Sequence, residues 1–187
     1  MLYSYTNHSG GARGSDAAWD IIGQTYGVKS IHYYAEGYKT PLGNLALNVD
    51  QLSEADVYLH KANEVLKRRF PTNNQYVDGL LRRNWHQVKN AEAVFAISTI
   101  KNNIVQGGTG WAVHMAISVN KEVFVFDQDM DDWFTYRRDA FRRCNTPILT
   151  KNFAGIGTRE IKDNGKEAIH QVYVKIIQRL YSPENSI

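Results

Sequence analysis

The chain has 187 residues, of which 43% are hydrophobic and 22% are charged, as in an ordinary globular domain. Its apolar runs are about as long as a strand, far short of the roughly 20 residues that a membrane span needs, and its first residues lack the pattern of a signal peptide. A single cysteine, Cys144, excludes an internal disulfide and leads us to expect a cytoplasmic protein, while a net charge of +3 suits an anionic ligand without demanding nucleic acid.

The first 35 residues predict a strand, a turn, a helix and a second strand. Leu2–Thr6 and Ser30–Ala35 carry the aromatic and branched residues that are typical of strands. Between them, glycines interrupt regular structure over Asn7–Asp16, and apolar residues at helical spacing follow from Ala17 to about Gly27. This βαβ unit predicts a parallel sheet.

The next part of the chain predicts two helices after an irregular segment, Glu36–Leu52. Ser53 is a favourable N-cap for the first helix, which Pro71 should stop near Phe70. The second helix should run from Val77 to Lys89, because its apolar residues share one face.

The remaining chain alternates strands and helices. Ala93–Ile97 is a continuous apolar run, typical of a strand buried on both faces, and Trp133–Cys144 is compatible with a hairpin or an irregular flap. The other predicted elements are a polar loop at Ser98–Asn103, a helix at Trp111–Val119, strands at Glu122–Phe126 and Asn152–Ile156, a helix at Asn164–Leu180 and a frayed tail from Ser182. We therefore expect one α/β domain, a Rossmann-like parallel sheet with helices on both faces, with its core in residues 1–127 and a less regular C-terminal segment in 128–187.

A glycine-rich turn, Ser9-Gly10-Gly11-Ala12-Arg13-Gly14-Ser15-Asp16, joins the first strand to the first helix. Such a turn lets main-chain N–H groups converge on a ligand, and the helix N-terminus adds about half a positive charge. Arg13 can neutralise a phosphate, and Asp16 can cap the helix or bind a ribose hydroxyl. The alternative is a turn whose glycines serve geometry alone.

A second glycine turn, Gln106-Gly107-Gly108-Thr109-Gly110-Trp111, also lies between a strand and a helix. Both turns should then lie on the carboxyl edge of the sheet, where open parallel sheets bind ligands. Arg83 and Asn84, on the second long helix, are candidates for reaching the same ligand; the alternative for this pair is a solvent-facing position.

These three segments, in this order, resemble the SLOG superfamily, the Rossmann-like group that includes DprA and the LOG nucleotide hydrolases. The first turn looks like the S-G-x-A-R-G-x-D turn of DprA and of the small YspA-like proteins. Arg83-Asn84, followed by Asn90-Ala91-Glu92-Ala93-Val94, also looks like the YspA-like pattern, and Gln106–Gly110 resembles the second glycine turn of the superfamily. The resemblance covers about residues 2–127 and implies purine nucleotides, ADP-ribose-like molecules or related signals as ligands.

One departure from the superfamily concerns catalysis. In the LOG hydrolases the second turn reads P-G-G-x-G-T-x-x-E, and the glutamate helps to cleave an N-glycosidic bond, whereas Gln106, Trp111 and His114 stand here at the proline, threonine and glutamate. A histidine can still exchange protons, so the sequence leaves open whether the chain is an enzyme. An enzyme of this kind would be a nucleotide N-glycosidase or phosphoribohydrolase, with candidate catalytic groups at Asp16, Asp127, Glu160 and His114.

A third glycine-rich turn, Phe153–Glu160, looks like the first phosphate loop of other superfamily members. If it lines the pocket, Thr158 and Arg159 become ligand contacts; otherwise it only caps the final helix.

No metal or cofactor is expected. The histidines share no ligand spacing, and the acidic run Asp127–Asp132 lacks the glycine and terminal glutamate of a calcium loop.

Three functions compete: sensing or sequestering a nucleotide, hydrolysing it, or binding single-stranded DNA through basic clusters and aromatic side chains. DNA is the least favoured partner, because the excess of positive charge is modest. By analogy with the superfamily we expect a homodimer, for which the helices around Trp85 and Trp111 offer either an interface or ordinary core.

Overall fold

An eight-stranded, mostly parallel sheet organises the computed structural model, which describes residues 1–38 and 42–182. The strands are β1 (Thr6–Ser9), β2 (Lys29–Ala35), β3 (Leu45–Leu47), β4 (Ala93–Ser98), β5 (Ile100–Lys101), β6 (Ile104–Val105), β7 (Glu122–Asp127), β8 (Asp132–Arg137), β9 (Ala140–Cys144) and β10 (Asn152–Gly157). The helices are α1 (Ser15–Thr25), α2 (Val49–Ser53), α3 (Asp56–Leu66), α4 (Gln75–Asn90), α5 (Thr109–Ser118) and α6 (Asp163–Tyr181).

The strand order is β3-β2-β1-β10-β4-β7-β8-β9, and β5 pairs only with β6 in a separate small hairpin. The six strands from β3 to β7 in this order run parallel, whereas β8 and β9 are antiparallel additions at one edge. The last strand of the chain thus lies between β1 and β4, at the centre of the sheet. Parallel strands end at the same edge, so the segments that follow β1, β10 and β4 are neighbours.

Helices cover both faces of the sheet, and the side chains of β4 show the two layers. Ala93, Phe95 and Ile97 pack with side chains of α1 and α6, whereas Val94 and Ala96 pack with α3, α4 and α5. All six residues of β4 are buried, as expected for a central strand enclosed on both sides. The fold is therefore α/β and Rossmann-like, as the sequence predicted.

Most of the predicted elements are confirmed within a few residues, but the first strand is not. Leu2 and Tyr5 are buried in the core without joining the sheet, and the strand instead begins at Thr6. A hydrophobicity pattern does not detect this strand, because its buried side chains are polar and form hydrogen bonds with the neighbouring strands. Asn7 accepts a hydrogen bond from the N–H of Gly155 at 2.9 Å and donates to the hydroxyl of Ser30.

The helix predicted from Ser53 to Phe70 is shorter in the structure, where α3 runs from Asp56 to Leu66. A separate helix, α2, which ends at Ser53, and strand β3 lie in the preceding segment, Glu36–Leu52, which was predicted to be irregular. Asn48 is the N-cap of α2 and exchanges hydrogen bonds with Gln51 in a capping box. The second helix, α3, ends at Lys67, which adopts a left-handed conformation before Pro71 is reached. Local capping therefore overrides the longer helical pattern.

The C-terminal third is as regular as the rest of the chain. Trp133–Cys144 forms the hairpin β8–β9 rather than an irregular flap, and β10 takes a central place in the sheet. The core therefore extends beyond residues 1–127, and β10 and α6 are integral to it.

Trp85 and Trp111 are both core residues within one chain: Trp85 stacks on Tyr58 with ring centroids 3.6 Å apart, and Trp111 packs against Phe70. Residues 39–41, within the segment predicted to be irregular, and 183–187, within the tail predicted to be frayed, lie outside the described residues. Among the helices in the described ranges, none is long and apolar enough to cross a membrane.

Candidate ligand site

The three glycine turns meet at the carboxyl edge of β1, β10 and β4. The N–H of Ser15, in the first turn, donates to the carbonyl of Thr158 in the third turn at 2.9 Å, and the N–H of Thr158 donates to the carbonyl of Ile97 in β4 at 2.8 Å. The second turn joins the same edge, because the N–H of Gln106 donates to the carbonyl of Thr99, just beyond β4. The expectation that the first two turns share one edge is confirmed.

The first turn is braced by its own side chains. Oδ2 of Asp16 accepts hydrogen bonds from the N–H groups of Gly10, at 3.2 Å, and Ala12, at 3.5 Å. The hydroxyl of Ser9 accepts the N–H of Gly11 at 3.1 Å. The N–H groups of these three residues are therefore occupied by the turn's own side chains.

Most of the predicted third turn belongs to strand β10, which runs to Gly157. The residues that follow, 158–160, form the loop here called the third turn, which packs against the first turn and does not cap the final helix. A β-carbon on Gly14, whose φ is +92°, would collide with the main chain of Arg159. The side-chain hydroxyl of Ser15 also donates to the carbonyl of Thr158 at 2.8 Å. Arg159 is exposed and Thr158 half-buried, and α6 begins only at Asp163, without a side-chain cap.

The second turn is open to solvent. β-Carbons built on Gly107 and Gly108 would meet no other atom within 4 Å. Arg68 holds the carbonyl side of the turn, donating to the oxygens of Gly107 at 2.6 Å and Val105 at 3.3 Å. Within the described chain no acceptor meets the N–H groups of Gly107, Gly108 and Thr109, which lie at the start of α5. This turn therefore presents unpartnered main-chain donors at a helix N-terminus.

Arg83, from α4, lies directly against the first turn. It is only 8% exposed, and a β-carbon on Gly10 would overlap its guanidinium. Its Nε is buried without a hydrogen-bond partner, and its guanidinium forms no hydrogen bond or ion pair with any residue that the structure describes. Asn84 is half-buried, and Arg13 is exposed on the turn itself.

Burial governs the electrostatics of Asp16 and Arg83. It raises the pKa of Asp16, an effect that the nearby positive charge of Arg83 and hydrogen bonds from the turn oppose. Burial likewise lowers the pKa of Arg83, and the negative charge of Asp16 opposes that shift. Each group stabilises the charged form of the other, although the two do not form a direct ion pair.

Two further polar side chains at this turn were not predicted from the sequence. Gln87 is 2% exposed, and its unpartnered Nε2 would lie 2.5 Å from a β-carbon on Gly10. Its position one helical turn after Arg83 was a readable signal. His32, 4% exposed, directs an unpartnered Nδ1 toward Gly11 from β2. Nothing local in the sequence places that side chain beside the turn.

The other candidate catalytic groups do not gather at this turn. Asp127 is buried at the end of β7 and braces loops: Oδ2 accepts the N–H of Ile100 at 2.7 Å, and Oδ1 accepts those of Asp129 and Met130. Glu160 is exposed. His114 is buried in α5 with its Nε2 unpartnered, and burial, assisted by the charge of Arg68, lowers its pKa to about 4.

Two cavities lie away from the glycine turns. One, of about 450 Å³, lies between the β8–β9 hairpin and α6; the other, of about 310 Å³, lies between β2, α2 and α4. None of the residues that line these two cavities belongs to the three turns. No group of three or more metal-ligating side chains gathers anywhere in residues 1–38 and 42–182.

The sheet, its helices and the meeting of three glycine turns at one edge define a Rossmann-like α/β protein with a candidate site for a small anionic ligand. No protein-family model, no curated protein and no solved structure matches the chain significantly. The function is therefore argued from the residues of the site.

Proposed function

We propose that the chain binds a nucleotide or a nucleotide-derived ligand, such as a purine nucleotide or an ADP-ribose-like molecule, and senses or sequesters it. The ligand would lie across the carboxyl edge of β1, β10 and β4, between the first and second glycine turns. This proposal agrees with the resemblance of these turns to the SLOG superfamily.

The unpaired guanidinium of Arg83 carries the proposal. A buried charge is costly unless an opposite charge and hydrogen bonds compensate it, and Arg83 has neither in direct contact among the residues that the structure describes. The phosphate oxygens of a nucleotide would supply both, since arginine binds them in a bidentate geometry.

The second turn supports an elongated ligand rather than a lone anion. The free N–H groups of Gly107 and Gly108 belong to a different strand end from Arg83, with β10 between them. A ligand that reaches both must be longer than one phosphate, which favours a nucleotide diphosphate or a dinucleotide-like molecule.

Thermal unfolding with AMP, ADP, ADP-ribose and a short single-stranded DNA tests the proposal. A nucleotide at 100 times its dissociation constant should stabilise the protein by about 2.7 kcal/mol. Arg83→Met should abolish this stabilisation. The matched control is Arg82→Met, which removes the neighbouring arginine and its paired hydrogen bonds to Asp56 at 2.6 and 3.1 Å and should keep the ligand response.

Two results would contradict nucleotide binding at this turn: an equal response in wild type and Arg83→Met, or stabilisation by DNA alone with a steep dependence on salt. The second result would support single-stranded DNA binding instead.

Hydrolysis of an N-glycosidic bond is the second candidate, favoured by Asp16. Its buried carboxyl group lies at the first turn with a raised pKa, as suits a group that donates a proton to a leaving base. Chromatography of the same nucleotides after long incubation is the test, and release of the base that Asp16→Asn prevents would support it. Unchanged nucleotides in every reaction would exclude hydrolysis and leave binding as the function.

A further inference from the structure

His32 has one ring nitrogen held by the protein and one directed at the first glycine turn. Its Nε2 lies 3.5 Å from Oδ2 of Asp20, and both side chains are almost fully buried. Its Nδ1 is enclosed without a hydrogen-bond partner among the described residues and would lie 3.2 Å from a β-carbon on Gly11. The sheet register explains the position, because His32 pairs with Ser9 at the end of β1.

The carboxyl group of Asp20 lies beside Nε2 of His32 and not beside Nδ1. A carboxylate accepts hydrogen bonds, so the neutral imidazole places its N–H on Nε2 and its lone pair on Nδ1. Asp20 is held in turn by the side-chain amide of Gln24 at 3.0 Å. In that tautomer Nδ1 is a hydrogen-bond acceptor, and the partner that satisfies it is a donor.

We propose that Nδ1 of His32 accepts a hydrogen bond from a sugar hydroxyl of the ligand and so makes the site selective for ribose. The inference rests on the nucleotide ligand proposed above. Arg83 and Gln87 lie against Gly10, and His32 lies beside Gly11. A cation, a side-chain amide and a hydrogen-bond acceptor thus lie against two consecutive residues of the turn.

A ribose phosphate has the groups that complement this arrangement: anionic oxygens for Arg83 and hydroxyl donors for His32. A sulfate ion would satisfy Arg83 but would bring no donor for Nδ1. Leu42 lies against the same point of Gly11 and is 40% exposed. Because the nearest atom of Leu42 is its Cβ, a sugar that reaches Nδ1 must move Leu42 together with its main chain.

Calorimetric titration with ADP, 2′-deoxy-ADP and 3′-deoxy-ADP tests the inference. Removing the recognised hydroxyl leaves a buried acceptor unsatisfied, so wild type should bind one deoxy analogue at least about fivefold more weakly than ADP. His32→Gln keeps an amide N–H near Asp20 but places no polar atom at Nδ1. This variant should bind ADP and both analogues with one affinity.

Two variants separate recognition from a structural effect. His32→Asn places an acceptor oxygen near the position of Nδ1 and should recover part of the discrimination. His86→Gln alters another buried histidine, whose Nε2 lies 2.8 Å from the carbonyl oxygen of Gln51, and should discriminate as wild type does.

The inference is overturned, while nucleotide binding stands, if wild type binds ADP and both deoxy analogues equally or if His32→Gln still discriminates. The wild-type comparison decides the matter even if the variants fail to fold. If wild type binds none of ADP, AMP and ADP-ribose, both the proposed function and this inference are rejected.

Discussion

The guanidinium of Arg83 lies so close to the main chain of Gly10 that position 10 accommodates only a glycine. The contact joins α4 to the turn after β1 and brings a buried positive charge to the candidate site. It also couples the two positions energetically, because any side chain at Gly10 must move Arg83.

Gly10→Ala should destabilise the protein by about 1–3 kcal/mol, because the new methyl group overpacks the turn against Arg83. Urea unfolding of four proteins measures the coupling: wild type, Gly10→Ala, Arg83→Met and the double variant. Methionine is flexible and uncharged, so Arg83→Met should be about as stable as wild type or more stable. In the Arg83→Met background the cost of Gly10→Ala should fall by at least half. Additive losses would show that the two residues do not compete for the same space.

Gly14→Ala should be the more damaging substitution in the first turn, at about 2–4 kcal/mol. Gly14 has a φ of +92°, which a side chain disfavours, and its β-carbon would meet the main chain of Arg159, which cannot rotate away. Urea unfolding checks the value. Arg159→Gly is the informative partner, since it removes the side chain but not the obstructing main chain and should rescue nothing. Rescue by Arg159→Gly would mean that the third turn contacts the first through its side chain.

Gly108→Ala should separate ligand binding from stability at the second turn. Gly108 has a φ of −62°, and its β-carbon would face open space, so the free energy of unfolding should stay within about 0.5 kcal/mol of wild type. Bound phosphates need close approach to the main chain, and the affinity for ADP should therefore fall. Glu122→Ala, an exposed change at the opposite end of β7, is the control and should leave the affinity unaltered. Unchanged affinity in Gly108→Ala would place the ligand away from the second turn.

The sequence predicts the sheet edge better than the details of the site. Continuous apolar runs at β4 and β7 identify buried parallel strands, and the rule that such strands end together places the first two turns side by side. The same reasoning does not place β10 between β1 and β4, because that pairing joins residues about 145 positions apart, as between Asn7 and Phe153. The third turn follows β10, so its position could not be predicted from the sequence for the same reason.

The polar side chains around Gly10 and Gly11 show a second limit. Arg83 stands out in the sequence through its resemblance to a known pattern, and Gln87 follows it by one helical turn. His32 and Asp20 come together only because α1 packs on β2, a contact that no local spacing encodes. In contrast, Asn48 and Gln51 carry the spacing of a capping box, so the start of α2 was readable from the residues alone.

His114 should make the stability of the protein depend on pH between about 6.5 and 4. Burial lowers its pKa from 6.5 to about 4 in the folded protein. Between these two pH values the unfolded chain therefore binds a proton at His114, whereas the folded protein does not. The contribution of neutral His114 to the free energy of unfolding is fully present above pH 6.5. As the pH decreases, the free energy of unfolding falls by about 1.4 kcal/mol for each pH unit, to a total loss of about 3 kcal/mol. The loss comes from the unpartnered imidazole, which burial keeps neutral in the folded protein until the pH falls to about 4.

Urea unfolding of wild type and His114→Leu at pH 7.0, 6.0, 5.0 and 4.5 measures this contribution. Leucine has a similar volume and no proton to gain, so the stability of wild type relative to the variant should decline steadily below pH 6.5 and stay constant above it. His170→Leu replaces an exposed imidazole and controls for the loss of a histidine elsewhere in the chain. A constant difference between wild type and His114→Leu across the whole range would show that the buried imidazole takes up its proton in the folded state as readily as in the unfolded chain.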